Sequence, residues 1–356
     1  MAGGAIATPV ESNPSRLAGT GTVVRVNLQQ EFVSCGVCGS DRWHPYASGQ
    51  DYEYDTSGDI FQIVQCRQCG HRYLNPRPVT AELPRIYPPH YYAYNYDQAI
   101  HPLALRAKDW LDRGKVQGWI GDRLSHPPSN RATPPEKALR VLDVGCGNGR
   151  YLKRLHHLGL AKHNLFGVEM NQEAIHHLND EGFQGYYGRL EDVAPELPEN
   201  SFDVIVLLQV LEHVANPAHI IQILAKLLCP GGTLILETPN LEGWDAELFH
   251  HGYWGGYHFP RHWHLFNRKT LERLFHDAGL DSVDFRALPS HAFWILSYHH
   301  WLKHQVKWPS LAERFNPLQN IPLLSIFTGF DLLRGKLGFS TSNIQAIAHK
   351  PNHDLG

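Results

Sequence analysis

Short apolar segments alternate with amphipathic segments from about residue 139 to the end of the chain. The apolar or alternating segments predict strands at 140–144, 165–169, 185–187, 202–208, 233–237, 283–288 and 344–348. Apolar positions at helical spacing predict helices near 150–158, 172–181, 217–228 and 269–278. Strands that alternate with helices favour a mainly parallel sheet with helices on both faces, so the predicted fold class is α/β.

The hydrophobic pattern before residue 139 is shorter and less regular. It predicts a strand at 59–65 and a helix at 101–122, and the Pro-rich stretch 126–137 has the composition of a linker. Small residues and proline dominate the start of the chain. The predicted organisation is a flexible tail at 1–30, a cysteine-bearing segment at 31–100, a helix and linker at 101–138, and one large domain at 139–356.

The last two predicted strands are separated by a long apolar stretch at 289–342. Its pattern predicts two helices, at 291–304 and 321–337, because such a stretch is too long for a simple loop. One interpretation is a packed helical cover. The other is a lid or wall for an apolar substrate, with peripheral contact with a membrane or a lipid substrate.

Charge and composition argue against some classes of partner. The formal net charge is −3 and no Lys/Arg cluster is present, which disfavours nucleic acid. No apolar run reaches the ~18 residues of a membrane-spanning helix. The first residues lack the basic-then-apolar order of a signal peptide, so a cytoplasmic location is expected.

Four of the six cysteines form two Cys-x-x-Cys pairs. The pairs are Cys35 with Cys38 and Cys66 with Cys69. Each pair supplies two thiolates from one tight turn, and two pairs at this separation are typical of a tetrahedral Zn²⁺ site. Because four thiolates fill the coordination sphere, the predicted ion is structural rather than catalytic.

A glycine-rich turn follows the first predicted strand of the large domain. Asp143 opens an Asp-x-Gly-x-Gly-x-Gly pattern that contains Gly145, Gly147 and Gly149. Glycine lets the backbone turn sharply and approach a ligand closely, as in the nucleotide-binding turns of doubly wound folds. The turn alone fits either a dinucleotide or S-adenosylmethionine (SAM). Cys146, inside the turn, is interpreted as a small filler rather than a nucleophile.

The segments after the glycine loop distinguish these two ligands. Glu169 ends the second predicted strand, and the stretches 201–206, 209–214 and 228–234 follow in order. With 142–149, they resemble the motifs of class I SAM-dependent methyltransferases over about 139–288. The resemblance implies a Rossmann-like seven-stranded sheet, SAM as the cofactor and methyl transfer as the activity.

The same resemblance implies particular cofactor contacts. Glu169 would accept hydrogen bonds from the ribose hydroxyls, Met170 would flank the adenine, and Asp143 would reach the amino group of SAM. Family members often carry Asp where this chain has Arg189, and Glu191 is taken as the replacement. The other expected contacts are Gly145, Gly147, Asn148, Gly149, Leu190 and Gln209.

Candidate catalytic residues lie in two stretches. Glu212 and His213 follow the fourth strand, where some quinone-biosynthesis O-methyltransferases carry a Glu-x-x-Glu-His stretch implicated in divalent-metal binding. Here the first Glu of that stretch is Gln209, which disfavours a catalytic metal. The alternative is that Glu212 and His213 cap and pack a helix start.

The second stretch is a His-Phe-Pro-Arg-His loop that contains His258 and His262. A histidine titrates near neutrality and suits general-base catalysis. No acidic residue is interleaved, which disfavours a metal site in this loop. Simple packing of an aromatic loop is the remaining alternative.

An aromatic run joins the cysteine segment to the large domain. This arrangement resembles the zinc-containing sugar C-methyltransferases of antibiotic biosynthesis, in which a Tyr of the linking stretch contacts the substrate. The counterparts here are Tyr91, Tyr92 and Tyr94, with Tyr92 as the candidate catalytic residue. Those enzymes carry a further C-terminal domain in place of 289–342, so a nucleotide-sugar substrate does not carry over.

The first functional hypothesis is a C- or O-methyltransferase acting on a small, partly apolar molecule of specialised or envelope-lipid metabolism. A zinc-ribbon RNA methyltransferase is the second, and the charge balance argues against it. A catalytically silent SAM-fold interaction protein is the third. The intact glycine loop and Glu169 argue against that one.

Overall fold

The structure is a computed structural model that describes residues 27–88, 91, 101–125, 139–317 and 319–352. Most of the predicted tail, the predicted linker, and Tyr92 and Tyr94 lie outside these residues, as does the side chain of Trp110.

Short antiparallel strands make up the segment that contains the two cysteine pairs. The strands of this cysteine ribbon are β1 (Gln30–Glu31), β2 (Trp43–Gly49), β3 (Phe61–Cys66), β4 (Arg72–Leu74) and β5 (Arg77–Pro78). β2, β3 and β4 pair consecutively, and β1 pairs with β5. The predicted strand at 59–65 corresponds to β3. The short helix α1 (Leu83–Ile86) and the long helix α2 (Pro102–Ser125) follow the ribbon.

A seven-stranded sheet forms the centre of the large domain and confirms the predicted fold class. Its strands are β6 (Val141–Val144), β7 (Leu165–Glu169), β8 (Gln184–Tyr187), β9 (Phe202–Leu208), β10 (Leu228–Pro239), β12 (Asp281–Leu288) and β13 (Asn343–His349). The strand order is β12-β13-β10-β9-β6-β7-β8, and β13 runs antiparallel to both of its neighbours. The other neighbouring pairs are parallel, so the glycine loop and the turn after β9 leave the sheet at one edge.

Helices connect the strands close to where the hydrophobic pattern predicts them. They are α3 (Arg150–His157), α4 (Gln172–Asp180), α5 (Leu190–Val193), α6 (Pro217–Leu227), α7 (Trp244–Leu248) and α8 (Arg268–Asp277). Asparagine side chains satisfy free N–H groups at the starts of α4, α6 and α8. The Oδ1 atoms of Asn171, Asn216 and Asn267 accept hydrogen bonds of 3.1, 3.1 and 3.0 Å there.

One further strand joins the ribbon to the large domain. β11 (His264–Leu265) pairs with β4, so the ribbon sheet has the order β11-β4-β3-β2. Cys35, Cys66 and Tyr73 share one hydrophobic cluster with Leu211 and Phe266 of the large domain. The predicted His-Phe-Pro-Arg-His loop lies directly before β11, so it leads into the ribbon sheet.

The stretch predicted as a helical insertion contains α9 (His291–His300), α10 (Pro309–Ala312) and α11 (Ile321–Lys336), and a π-helical turn extends α9 to Gln305. Trp294 of α9 stacks on Phe327 of α11 with ring centroids 5.5 Å apart. The buried Asp331 carboxylate accepts hydrogen bonds from the Ser290 N–H, at 2.7 Å, and the Trp294 indole N–H, at 3.2 Å. Within the described ranges, no helix is both long and apolar enough to cross a membrane.

Candidate functional site

The glycine loop leaves the carboxyl end of β6 with positive φ angles of 76° at Gly145, 54° at Gly147 and 75° at Gly149. A Cβ on Gly145 would lie 2.5 Å from a methyl carbon of Val210, and one on Gly149 would collide with Leu178. Nothing in the described chain lies within 4 Å of a Cβ placed on Gly147. Packing within the protein thus explains the glycines at 145 and 149, whereas Gly147 borders open space beside the loop.

The Glu169 carboxylate lies directly against this loop. It accepts hydrogen bonds from the N–H groups of Gly147 at 3.0 Å, Met170 at 2.7 Å and Asn171 at 3.1 Å. Met170 is 56% exposed beside it. The end of β7 therefore presents a fixed acidic group and an apolar side chain next to Gly147, an arrangement suited to a ribose and its base.

Asp143 lies beneath the loop and is fully buried. Burial, and then the nearby charge of Glu169, raise the pKa of Asp143 to about 7. Its Oδ2 has no hydrogen-bond partner among the described residues. A cationic ligand group beside Asp143 would lower this pKa again, so the site is suited to a positively charged amino group.

The other predicted cofactor residues are distributed around this centre. Leu190 is buried in the hydrophobic core, while Glu191 is partly exposed and Asn148 is exposed. Gln209 is exposed at the end of β9, and its side-chain amide donates to Asn343 Oδ1 at 2.9 Å. Their roles in binding remain predictions.

The four ribbon cysteines converge on one point. Their Sγ atoms all lie within 4.8 Å of one another, and the Cys35–Cys69 and Cys38–Cys66 distances are 3.5 Å. A zinc ion with ~2.3 Å bonds to four sulfurs requires Sγ–Sγ distances of about 3.8 Å. Gly39 and Gly70, with φ angles of 72° and 78°, close the two cysteine turns. The donor set and its spacing fit a tetrahedral metal ion, and all four thiols are free of disulfides.

Three histidines from two distant parts of the sequence form a compact histidine cluster (His213, His258 and His262). The ring centroid of His262 lies 4.6 Å from that of His213 and 4.9 Å from that of His258. The hydroxyl groups of Tyr87 and Tyr91 reach His213 Nδ1 at 2.8 Å and His258 Nε2 at 3.2 Å. The structure thus brings together the two predicted catalytic stretches, and it adds Tyr87, which the sequence did not indicate.

Two acidic residues of the ribbon contact the loop that carries His258 and His262. Glu53 Oε1 lies 2.6 Å from His258 Nδ1. Asp51 accepts two hydrogen bonds from the Arg261 guanidinium, at 3.0 and 2.9 Å, and both side chains are 0% exposed. Burial would raise the pKa of Asp51, but the hydrogen bonds and charge of Arg261 outweigh it and lower that pKa. Sequence reasoning missed both acids, since Asp51 precedes its partner by 210 positions.

Glu212 lies beside His213 and His262 of the histidine cluster and is fully buried. Its Oε2 accepts a 2.9 Å hydrogen bond from the Thr238 hydroxyl, whereas Oε1 has no partner in the described part of the chain. Burial raises the pKa of Glu212 to about 8 and lowers that of His213 to about 3. The start of α6 is capped by Asn216 rather than by Glu212 or His213.

The glycine loop and the histidine cluster share one edge of the sheet. Val210, whose side chain contacts the Gly145 position, lies only two residues before Glu212. The Gln209 N–H donates to the Glu237 carbonyl at 2.7 Å, which ties this turn to the end of β10. A ligand beside the loop and a second molecule at the histidine cluster would therefore be neighbours.

Comparison with a family model gives one match. Residues 90–284, just over half of the chain, match the model described as a methyltransferase domain.

Among curated proteins, the chain is 34% identical over 108 residues to the ubiquinone biosynthesis O-methyltransferase of Caulobacter sp. (strain K31), covering 30% of this chain and 43% of that protein. It is 38% identical over 121 residues to the enzyme of the same name from Xanthomonas campestris pv. campestris (strain B100), covering 33% of this chain and 49% of that protein. The matched segment spans less than half the length of these relatives.

Among solved structures, a SAM-dependent methyltransferase from Archaeoglobus fulgidus superposes with a TM-score of 0.42 and 15% identity. The superposition covers 67% of this chain and 94% of that one.

Proposed function

The chain belongs to the family of methyltransferase domains, and on that premise we propose that it transfers a methyl group from SAM to a hydroxyl oxygen of a small, partly apolar molecule. The matched relatives carry the name of an O-methyltransferase, which supports oxygen as the acceptor atom.

One observation carries this proposal. Glu212, His213 and His262 meet at the turn after β9, whose Val210 packs against the glycine loop, and one oxygen of Glu212 is left without a partner in the described chain. A hydroxyl group is a donor and an acceptor at once, so it complements a carboxylate oxygen beside two imidazoles. Such a group would be fixed next to the SAM loop.

The residues around the loop would bind the cofactor. Glu169 would hold the ribose, and Asp143 would face the amino group. SAM supplies a methyl group on a sulfonium, which is a good leaving group, so the protein mainly has to align the two reactants. The oxygen–methyl bond would form as the carbon–sulfur bond breaks and the hydroxyl proton leaves to water, which yields the methyl ether, S-adenosylhomocysteine and one proton.

The cysteine ribbon would have a supporting role. We assign a structural Zn²⁺ ion to Cys35, Cys38, Cys66 and Cys69, since their spacing leaves no open coordination position. This ion would hold the ribbon that supplies Asp51 and Glu53 to the histidine cluster.

The function is tested through the cofactor loop. Gly147→Ala is expected to weaken SAM binding by roughly tenfold or more, because the new Cβ would occupy space beside the ligand. Calorimetry with SAM measures this affinity, and transfer of a labelled methyl group to a panel of phenols and aliphatic alcohols measures the activity.

Gly279→Ala is the matched control. Gly279 has a φ angle of 76° and, like Gly147, no described atom within 4 Å of a Cβ, but it lies after α8. Both variants should lose roughly 1 kcal/mol of stability from the left-handed backbone. If Gly147→Ala binds SAM as tightly as Gly279→Ala does, the loop assignment is wrong.

An apolar stripe on α11 supports the proposal that the protein contacts a lipid surface. Ile326, Phe330 and Leu333 of α11 and Leu337 directly after it recur at helical spacing and are 62%, 38%, 57% and 65% exposed. The insertion at 289–342 carries five Lys/Arg and two Asp/Glu residues, in a chain with a net charge of −3. A cationic segment with an exposed apolar stripe complements an anionic bilayer surface.

Vesicle binding tests this contact. The protein should co-sediment with phosphatidylglycerol-containing vesicles more than with pure phosphatidylcholine. The Leu333→Ser/Leu337→Ser double variant should lose about tenfold or more of the affinity. Leu158→Ser, at an exposed leucine after α3, is the control. Equal binding by the double variant, or a salt-insensitive dimer that buries the stripe, would refute the lipid contact.

A further inference from the structure

Three side chains place potential metal ligands together at the acceptor end of the site. One ligand atom from each of Glu212, His213 and His262 lies within 4.8 Å of the other two. Two of these residues follow β9, and the third comes from the loop before β11. This group is separate from the four cysteines of the ribbon.

Backbone carbonyls fix the orientation of both imidazole rings. His262 Nδ1 lies 2.8 Å from the Gly256 carbonyl oxygen, and His213 Nδ1 lies 3.1 Å from that of Arg261. A carbonyl oxygen can only accept, so these contacts place the proton on Nδ1 of each ring and a lone pair on Nε2. The Tyr87 hydroxyl, 2.8 Å from His213 Nδ1, then acts as a second acceptor for that proton. Neither Nε2 has a hydrogen-bond partner in the described part of the chain. Histidine ligands of metals are commonly held by such a bond on the other nitrogen.

The carboxylate completes the set. The Thr238 hydroxyl holds Oε2 of Glu212 at 2.9 Å, and the buried Oε1 has no partner among the residues the structure describes. Leaving a buried carboxylate oxygen unpaired costs free energy. A cation at this position would remove that cost.

His258 provides an internal contrast. It lies in the same cluster, but its Nδ1 is 2.6 Å from Glu53 Oε1 and its Nε2 is 3.2 Å from the Tyr91 hydroxyl. Both ring nitrogens are therefore engaged by protein oxygens. His258 is a neighbour of the group rather than a member of it.

From this geometry we propose that Glu212, His213 and His262 bind one divalent first-row transition-metal ion. Two imidazoles and one carboxylate are a ligand set that leaves coordination positions open. This ligand set differs from a Glu-x-x-Glu-His stretch, because Gln209 is exposed and bonded to Asn343 while His262 supplies the third ligand.

The inference rests on the proposed function for its chemical consequence. A hydroxyl group of the acceptor would occupy an open position on the ion. The ion would lower the pKa of that hydroxyl group, so that its proton leaves to water. The resulting oxygen attacks the methyl carbon of SAM, the carbon–sulfur bond breaks, and S-adenosylhomocysteine leaves with the electron pair on sulfur. The sum of the reaction is one methyl group transferred and one proton released.

Metal binding is tested without SAM or acceptor. The full chain is first loaded with zinc, and its metal content is counted before Co²⁺ is added. We expect one further equivalent of Co²⁺, with the visible absorption of nitrogen and oxygen ligands and without the thiolate charge-transfer band that cobalt in the cysteine site would give. Glu212→Gln and His262→Gln should each bind this equivalent at least about tenfold more weakly, a loss of about 1.4 kcal/mol.

His258→Asn is the matched control, and asparagine tolerates the left-handed backbone (φ 40°) at this position. It should keep the second equivalent, and retained ribbon zinc with an unchanged circular dichroism spectrum shows that each variant is folded. Absence of a second equivalent in the unmodified protein, or its retention in both Glu212→Gln and His262→Gln, overturns the metal site. Calorimetry with SAM is read separately, so cobalt binding without methyl transfer would contradict only the proposed function.

Discussion

Arg261→Met is expected to destabilise the protein by about 3–5 kcal/mol, because it leaves a buried carboxylate without its counter-charge. Asp51 and Arg261 are both 0% exposed and are joined by two hydrogen bonds. Asp51 also accepts hydrogen bonds from the N–H groups of Tyr54 and Thr56. It therefore orders the short ribbon segment that contains Glu53, the partner of His258. Chemical denaturation measures the free energy of unfolding.

Two further variants make this result interpretable. The Asp51→Asn/Arg261→Met double variant removes both charges and should recover part of the lost stability. Arg273→Met breaks the exposed 3.4 Å pair with Asp277 and should cost less than about 1 kcal/mol. If Arg261→Met costs no more than Arg273→Met, the buried pair does not hold the ribbon against the large domain.

Cys66→Ser is expected to abolish most of the methyl transfer while SAM affinity changes by less than about threefold. Loss of the structural metal would disorder the ribbon, and with it the supports of His258 and Arg261. A catalytic group misplaced by about 1 Å can cost about a hundredfold in rate. The SAM loop should be spared, because Cys146, Leu152 and Leu178 pack in a hydrophobic cluster without ribbon residues.

Cys229→Ser is the control for the chemical change itself. Cys229 is also a buried cysteine outside any disulfide, but it lies at the start of β10 near Asp203. Its replacement should leave zinc content and methyl transfer near those of the unmodified protein. If Cys66→Ser retains full activity and one zinc per chain, the four ribbon cysteines do not hold a structural zinc in the way proposed.

The core of the fold could be predicted because its signals are local. The strands at 165–169 and 202–208 begin and end where the apolar pattern does. The glycine loop and the helix after it are likewise determined by neighbouring residues. β10 begins earlier than predicted, at Leu228, because that residue pairs with Phe202 on the adjacent strand.

The ribbon and the acceptor end were harder to predict, since their contacts join distant parts of the chain. β2 contains Pro45 and a bulge, so its residues do not alternate as a strand pattern should. The histidine loop has no interleaved acid, which disfavoured a metal site there. The structure supplies the acids from elsewhere, with Glu53 and Asp51 from the ribbon and Glu212 from the turn after β9.

The pairing of β4 with β11 determines when the ribbon can be completed during protein synthesis. The fourth cysteine, Cys69, leaves the ribosome long before Leu265, at the end of β11. At about 5–20 residues per second, the interval is roughly ten to forty seconds. Metal binding at the cysteines can therefore precede closure of the sheet, and the edge of β4 stays open to a chaperone or to another nascent chain until the histidine loop has been translated.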